Sequence, residues 1–258
     1  MQRSPDSHKG ENGKVAIIGG SRHMHGAPLL AALAVEATGV DLVYVCLPAC
    51  HKDTAKAAGL NFQVYPFQRN DLSAIDREPI LELLATMDSA VIGPGIARTS
   101  ESIAVVGDIV AEATCTLVLD ATALQPDTLE KVRGKNAILT PHLGELERMG
   151  LTPEKITTTA SDTGATILLK GSTDRIAGTD GTMKEISGGN AGLTVGGTGD
   201  ALAGIVAGLV AQKQEPLAAC EQASSIIKQA GDELSKDVGY AYTATDVVRK
   251  IPYLLAHD

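Results

Sequence analysis

The chain is short of the features that would tie it to a membrane, a secretory route or a nucleic acid. Its four cysteines, Cys46, Cys50, Cys115 and Cys220, fit no paired-ligand or redox spacing. Each lies in or near an apolar stretch, which predicts buried free thiols and a reducing compartment. No run approaches the roughly 18 uncharged residues of a spanning helix, and the polar stretch Met1 to Asn12 lacks the apolar centre of a signal peptide. Positive charge is scarce too: 22 Lys and Arg face 31 Asp and Glu, a net charge of −9. That balance argues against a nucleic-acid backbone or an anionic membrane as a general partner, and an anionic substrate would need a local positive site. No shift of composition marks a linker. The expectation is a soluble, cytoplasmic chain with a disordered tail over 1–12 and one domain over 13–258, whose 44% hydrophobic content is enough for a large core.

What the sequence does contain is alternation. Val15–Ile18, Leu42–Cys46, Phe62–Tyr65, Ala90–Ile92, Thr116–Leu119, Ala137–Leu139 and Thr166–Leu169 are apolar on consecutive positions, as strands buried on both faces are. Between them lie helical patterns at Ala27–Thr38, Lys52–Ala58, Leu81–Met87, Ser100–Ala113, Asp127–Arg133, Gly144–Met149 and Thr157–Thr163. This order predicts a doubly wound, mostly parallel sheet between two helical layers. Arg175–Ala177 and Met183–Ile186 flank Thr179-Asp180-Gly181, a hairpin signal. From Asp200 on the chain reads as helical, including Pro216–Leu234 and Thr245–Ile251.

The most informative stretch is Gly196-Gly197-Thr198-Gly199-Asp200, which runs into apolar residues at helical spacing: Ala201, Leu202, Ile205, Val206, Leu209 and Val210. Glycines let a ligand approach the backbone, and the unpaired N–H groups of a helix start favour an anion. An Asp at this junction reads either as a helix N-cap or as a base. A cap needs no run of glycines before it, and a carboxylate would repel a phosphate unless it served as a base or held a metal.

In an open α/β sheet, ligands bind beyond the carboxyl ends of the strands. The residues there are Gly19-Gly20-Ser21 with Gly26-Ala27, then Gly93-Pro94-Gly95, Thr140-Pro141-His142-Leu143-Gly144-Glu145, and Lys170-Gly171-Ser172-Thr173-Asp174. Taken singly, each has a plain structural explanation: a tight turn, a helix start with a dipole-favoured Glu, a solvated Lys.

Together with Asp120-Ala121-Thr122-Ala123-Leu124 and the Gly196–Asp200 turn, this ordered set resembles the ADP/ATP-dependent NAD(P)H-hydrate dehydratases of the ribokinase-like superfamily, from about Lys14 to the last helices. The resemblance implies a three-layer α/β/α sandwich. It also implies repair of damaged nicotinamide cofactor: the ring hydroxyl of the S-epimer of NADH or NADPH hydrate is phosphorylated from ADP or ATP, and phosphate is then eliminated. By the same resemblance Asp200 takes the hydroxyl proton, and Lys170, Gly171, Ser172, Thr173, Asp174, Gly197, Thr198 and Gly199 hold the nucleotide. Ala27, Gly95, His142 and Asp200 contact the hydrate, and Glu145 helps organise Mg2+ indirectly.

The sequence departs from the family pattern at Met24, Ala97, Thr122 and Leu143, the last three near the expected hydrate pocket. The epimerase domain that some relatives carry is not seen, so a separate NAD(P)H-hydrate epimerase is expected to supply the S form, and a homo-oligomer is expected. The alternative is a kinase of the same fold acting on a hydroxyethylthiazole or a pyridoxal-like alcohol and releasing a stable phosphoester. A nucleotide-binding protein without catalysis is disfavoured, because Asp200 would weaken simple anion binding.

Overall fold

The computed structural model describes residues 3–256, so Met1 and Gln2 of the expected tail and His257 and Asp258 of the expected domain lie outside the described residues. In chain order the elements are β1 (Lys14–Ile18), α1 (Gly26–Ala37), β2 (Leu42–Leu47), α2 (Lys52–Ala58), β3 (Phe62–Pro66), α3 (Arg77–Leu84), β4 (Ser89–Ile92), α4 (Ser100–Glu112), β5 (Thr116–Leu119), α5 (Thr128–Lys131), β6 (Ala137–Leu139), α6 (Leu143–Arg148), α7 (Ile156–Thr163), β7 (Ala165–Leu169), β8 (Asp174–Ala177), β9 (Met183–Ile186), α8 (Thr198–Ala211), α9 (Pro216–Val238) and α10 (Ala244–Leu255). The strands form one nine-stranded sheet in the order β3-β2-β1-β4-β5-β6-β7-β8-β9. The strands from β3 across to β7 are parallel, and the β8–β9 hairpin adds two antiparallel strands at one edge.

Two apolar cores, one on each face, account for the continuous hydrophobic runs. Val15, Ile17, Val43, Val45, Val91, Val118 and Ile138 point to the side covered by α1, α8, α9 and α10. Their neighbours Ala16, Ile18, Cys46, Ala90, Ile92, Leu117 and Leu119 point to the side covered by α3, α4, α6 and α7. Successive strand residues face opposite ways, so a strand covered on both sides needs apolar residues at every position.

The expected strands are all present, and two helices start two or more residues earlier than expected. The helix expected over Leu81–Met87 runs over Arg77–Leu84. Its first turn carries Arg77, Glu78 and Pro79, which hide the apolar period, and Pro79 is tolerated there because early N–H groups have no helical partner. Helix α8 begins at Thr198, before Asp200. Residues 3–12 form no helix or strand, yet the Gly10 and Asn12 N–H groups donate to Asp41 Oδ2 at 2.8 and 3.0 Å. The four cysteines are free. Cys46 and Cys220 are buried and Cys115 is half-buried, while Cys50 is exposed, contrary to expectation. Among the described residues no helix is long and apolar enough to cross a membrane.

Candidate active site

Gly197 caps α8 with φ of 102°, a left-handed conformation, and a Cβ on it would lie 2.3 Å from Leu30 Cδ1. Both facts call for glycine. With Gly197 as the cap, Asp200 falls in the first turn and makes no capping bond, so the N-cap reading of this carboxylate does not hold. The first intrahelical bond runs from the Ala201 N–H to the Gly197 carbonyl, 2.9 Å. The N–H groups of Thr198, Gly199 and Asp200 therefore have no partner within the helix and are available to an anion. The Thr198 hydroxyl donates to the Leu193 carbonyl at 2.8 Å, which ties the preceding turn to the helix start.

Adjacent strands supply the charges around this helix end. Asp120 follows β5, Glu145 lies just beyond β6, and Lys170 follows β7. The Lys170 ammonium donates to Asp120 Oδ1 at 2.6 Å and lies 3.7 Å from Glu145 Oε2. Asp120 Oδ1 also accepts from the Thr140 hydroxyl at 2.9 Å. Burial pulls the Lys170 pKa down, but Asp120 and Glu145 outweigh it, and the net shift is upward. Burial pushes Asp200 up to about 6; Asp120 and Glu145 push the same way, and Lys170 opposes them. A carboxyl group so poised can accept a proton near neutral pH. Asp120 is missing from the residues assigned a role by sequence. Its available signal was its place, a carboxylate directly after a buried strand.

His142 caps the short helix α6 in a reciprocal pair with Glu145. The His142 N–H donates to Glu145 Oε2 at 2.9 Å, and the Glu145 N–H donates to His142 Nδ1 at 3.2 Å. Glu145 is buried, with Oε1 3.4 Å from His142 Nε2. Both of its oxygens are thus engaged, and among the described residues no group of three or more His, Cys, Asp or Glu side chains is placed to hold a metal ion. This donor set fits an indirect role, in which a divalent ion is bound by ligand phosphates and water and Glu145 acts through that water.

A cavity of about 770 Å³ opens beside these groups; Lys170 and His142 line it, while Asp120, Glu145 and Asp200 are not among its lining residues. Its lining contains Lys170, Gly171, Ser172, Asp174, Thr198 and Gly199 of the expected nucleotide residues, while Thr173 and Gly197 do not line it. Leu193, Leu202 and Ile227 form an apolar wall. Asp174 is turned inward: its Oδ1 accepts the Gly171 N–H at 2.8 Å, and its Oδ2 accepts the Ser224 hydroxyl. It therefore shapes the turn. Of the expected hydrate contacts, Ala27 and Gly95 meet each other, since a Cβ on Gly95 would lie 3.2 Å from the Ala27 Cβ and 2.8 Å from Met24 Cγ. His142 lines the same cavity as Lys170, so it stands on the side expected for the nucleotide rather than with Ala27 and Gly95. Two of the departures from the family pattern have visible settings. Thr122 donates its buried hydroxyl to the Ile96 carbonyl at 2.9 Å, joining the Asp120 turn to the Gly93–Gly95 turn, and Leu143 is exposed.

The family model described as NAD(P)H-hydrate dehydratase matches residues 15–253. The chain belongs to this family. It is 36% identical, over 98% of its length and 92% of the relative's, to the ADP-dependent (S)-NAD(P)H-hydrate dehydratase of Cenarchaeum symbiosum. Among solved structures, the ADP/ATP-dependent NAD(P)H-hydrate dehydratase of Bacillus subtilis, co-crystallised with ATP/Mg2+, superposes with a TM-score of 0.83 at 26% identity, covering 99% of this chain and 93% of that one. A ribokinase-like superfamily protein from Enterococcus faecalis superposes with a TM-score of 0.85 at 25% identity, covering 99% and 91%. The three-layer sandwich is thus the ribokinase-like fold.

Proposed function

We propose that this member of the dehydratase family carries out the ADP- or ATP-dependent dehydration of (S)-NADH or (S)-NADPH hydrate, as a hydro-lyase of cofactor repair. The observation that carries the reading is Asp200: a half-buried carboxyl group with its pKa raised to about 6, in the first turn of a glycine-started helix with free N–H groups. The nucleotide lies in the cavity of about 770 Å³, its base against Leu193, Leu202 and Ile227 and its phosphates toward Lys170, Thr198 and Gly199. The hydrate lies toward Ala27 and Gly95, with Asp200 at the junction.

Asp200 takes the proton of the ring hydroxyl as that oxygen attacks the terminal phosphoryl group. The helix N–H groups stabilise the charge growing on the phosphoryl oxygens, and the nucleotide leaves with one phosphate fewer. The ring nitrogen's lone pair then expels phosphate from C6, and loss of a proton from C5 restores the dihydronicotinamide. Mg2+ fits as a companion of the nucleotide phosphates, with Glu145 acting through water, where it would offset the negative charge of the phosphates. A separate epimerase supplies the S form, the setting is cytoplasmic, residues 13–258 act as one domain, and the chain assembles as a homo-oligomer.

The test is to incubate the purified chain with NADPH hydrate and either ADP or ATP, following reduced-nicotinamide absorbance and inorganic phosphate together. Recovery of absorbance matched by phosphate release is expected. Accumulation of a stable phosphorylated product would instead identify a small-molecule kinase.

A further inference from the structure

Lys228 is an almost fully buried lysine, 5% exposed, in the middle of α9, and no step of the proposed reaction uses it. Its ammonium donates to the backbone carbonyl of Ser172 at 3.0 Å and to that of Gly171 at 3.2 Å, and lies 3.6 Å from Asp174 Oδ1. These partners belong to the turn between β7 and β8, and that turn and Lys228 itself line the large cavity. Ser224, one helical turn earlier on the same face of α9, donates its hydroxyl to Asp174 Oδ2. The stem of Lys228 is used as well: a Cβ on Gly189 would stand 3.3 Å from its Cγ, so the Gly188-Gly189 turn, a second wall of the cavity, rests on it.

The donor set around this nitrogen is two carbonyl oxygens and a carboxylate, all pointing at one buried positive charge. That is how a protein holds a monovalent cation, except that here the cation is covalently attached to a helix. Burying an ammonium is costly unless oxygens replace its water, and a leucine would fill the same space without that cost. Its service is to the turn. Without a cation the Gly171 and Ser172 carbonyls and the Asp174 carboxylate would lie together uncompensated, and the turn would open.

We propose that Lys228 is a positioning residue for the nucleotide, a tethered cation that fixes the Gly171–Ser172 turn against the cavity. The inference rests on the reading of that cavity as the nucleotide site. The binding groups it positions are the Gly171 and Ser172 backbone and, through them, Lys170 at the head of the turn.

The experiment measures direct binding of ADP and ATP by calorimetry to the wild-type chain, to Lys228→Ala and to Lys228→Met, with and without added methylammonium chloride, using tetramethylammonium chloride as the ionic-strength control. Lys228→Ala is expected to weaken nucleotide binding by about tenfold or more, as loss of a charge-assisted contact does. Methylammonium, which fits the space the side chain leaves, is expected to restore most of that loss, and tetramethylammonium is not. Lys228→Met fills the space without charge, so it should bind as weakly and show no rescue, and it serves also where the alanine variant is poorly folded. A merely structural role for Lys228 would lower thermal stability without cation-specific rescue. Wild-type failure to bind either nucleotide would sink the reading of the cavity. Wild-type binding with unchanged affinity in a folded Lys228→Met would overturn the role of Lys228 alone.

Discussion

The ammonium of Lys170 lies 2.6 Å from Oδ1 of Asp120, fifty residues away in sequence, because β5, β6 and β7 lie side by side and each ends at the same rim of the sheet. Burial is the main reason the Asp200 pKa is raised, and this pair adjusts it further, Asp120 raising it and Lys170 lowering it.

Asp200→Asn keeps shape but accepts no proton. Turnover should fall by about 10²–10⁴-fold while ADP and ATP affinity stays within a few-fold of wild type. A variant retaining more than about a tenth of the wild-type rate would remove Asp200 from the proton transfer.

A base with its pKa near 6 gives a rate that is lost as pH falls through that value, because the protonated carboxyl group cannot accept the hydroxyl proton. The pH profile of kcat/KM for the hydrate should therefore show an acid limb near 6. Removing the two members of the pair should move that limb in opposite directions. Asp120→Asn takes away a like charge and shifts it to lower pH, and Lys170→Met takes away the compensating cation and shifts it to higher pH. Shifts of the same sign in both variants would contradict the electrostatic account.

The same raised pKa has a signature in stability. A carboxyl group whose folded pKa exceeds its unfolded value near 3.8 costs stability when ionised; the cost is absent below 3.8 and complete above about 6. Asp200→Asn should thus be about as stable as wild type at pH 4 and more stable at pH 7, by roughly 1–2 kcal/mol after allowance for solvent at a half-buried site. Urea unfolding at the two pH values measures the difference directly.

Gly197 and Gly199 are expected to fail differently. A side chain at Gly197 meets Leu30 and an unfavourable φ, so Gly197→Ala should lower stability by at least about 1 kcal/mol. A Cβ at Gly199 meets only the Lys170 ammonium, at 3.4 Å, so Gly199→Ala should fold normally and bind nucleotide more weakly. Thermal melts paired with ADP titrations separate the two.

Strands were the most readable part of the sequence, since double-sided burial leaves apolar runs such as Thr116–Leu119 whose ends mark the rim where ligands bind. The start of α8 was misplaced by two residues because Thr198 and Gly199 look like loop by propensity, whereas Gly197 sets the boundary through its left-handed φ. The Asp120–Lys170 pair, the Ser224–Asp174 bond and the carbonyl nest around Lys228 depend on contacts between distant segments. No local period reports them. His142 illustrates the same limit: its cap on α6 is a local pattern, but the cavity it lines is decided by how β6 sits beside β7.

The packing of α1 against α8 also governs when the protein can come into being. Gly204 of α8 sits so close to the Ala31 carbonyl that an added Cβ would lie 2.4 Å from it, so the two helices fit only as a finished pair. On the ribosome α1 emerges long before α8 is made, and the part of its apolar face that meets α8 stays uncovered for most of synthesis. Non-local pairings of this kind slow folding and expose nascent chains to aggregation. A truncation before Thr198 should therefore yield insoluble product, not a smaller inactive protein.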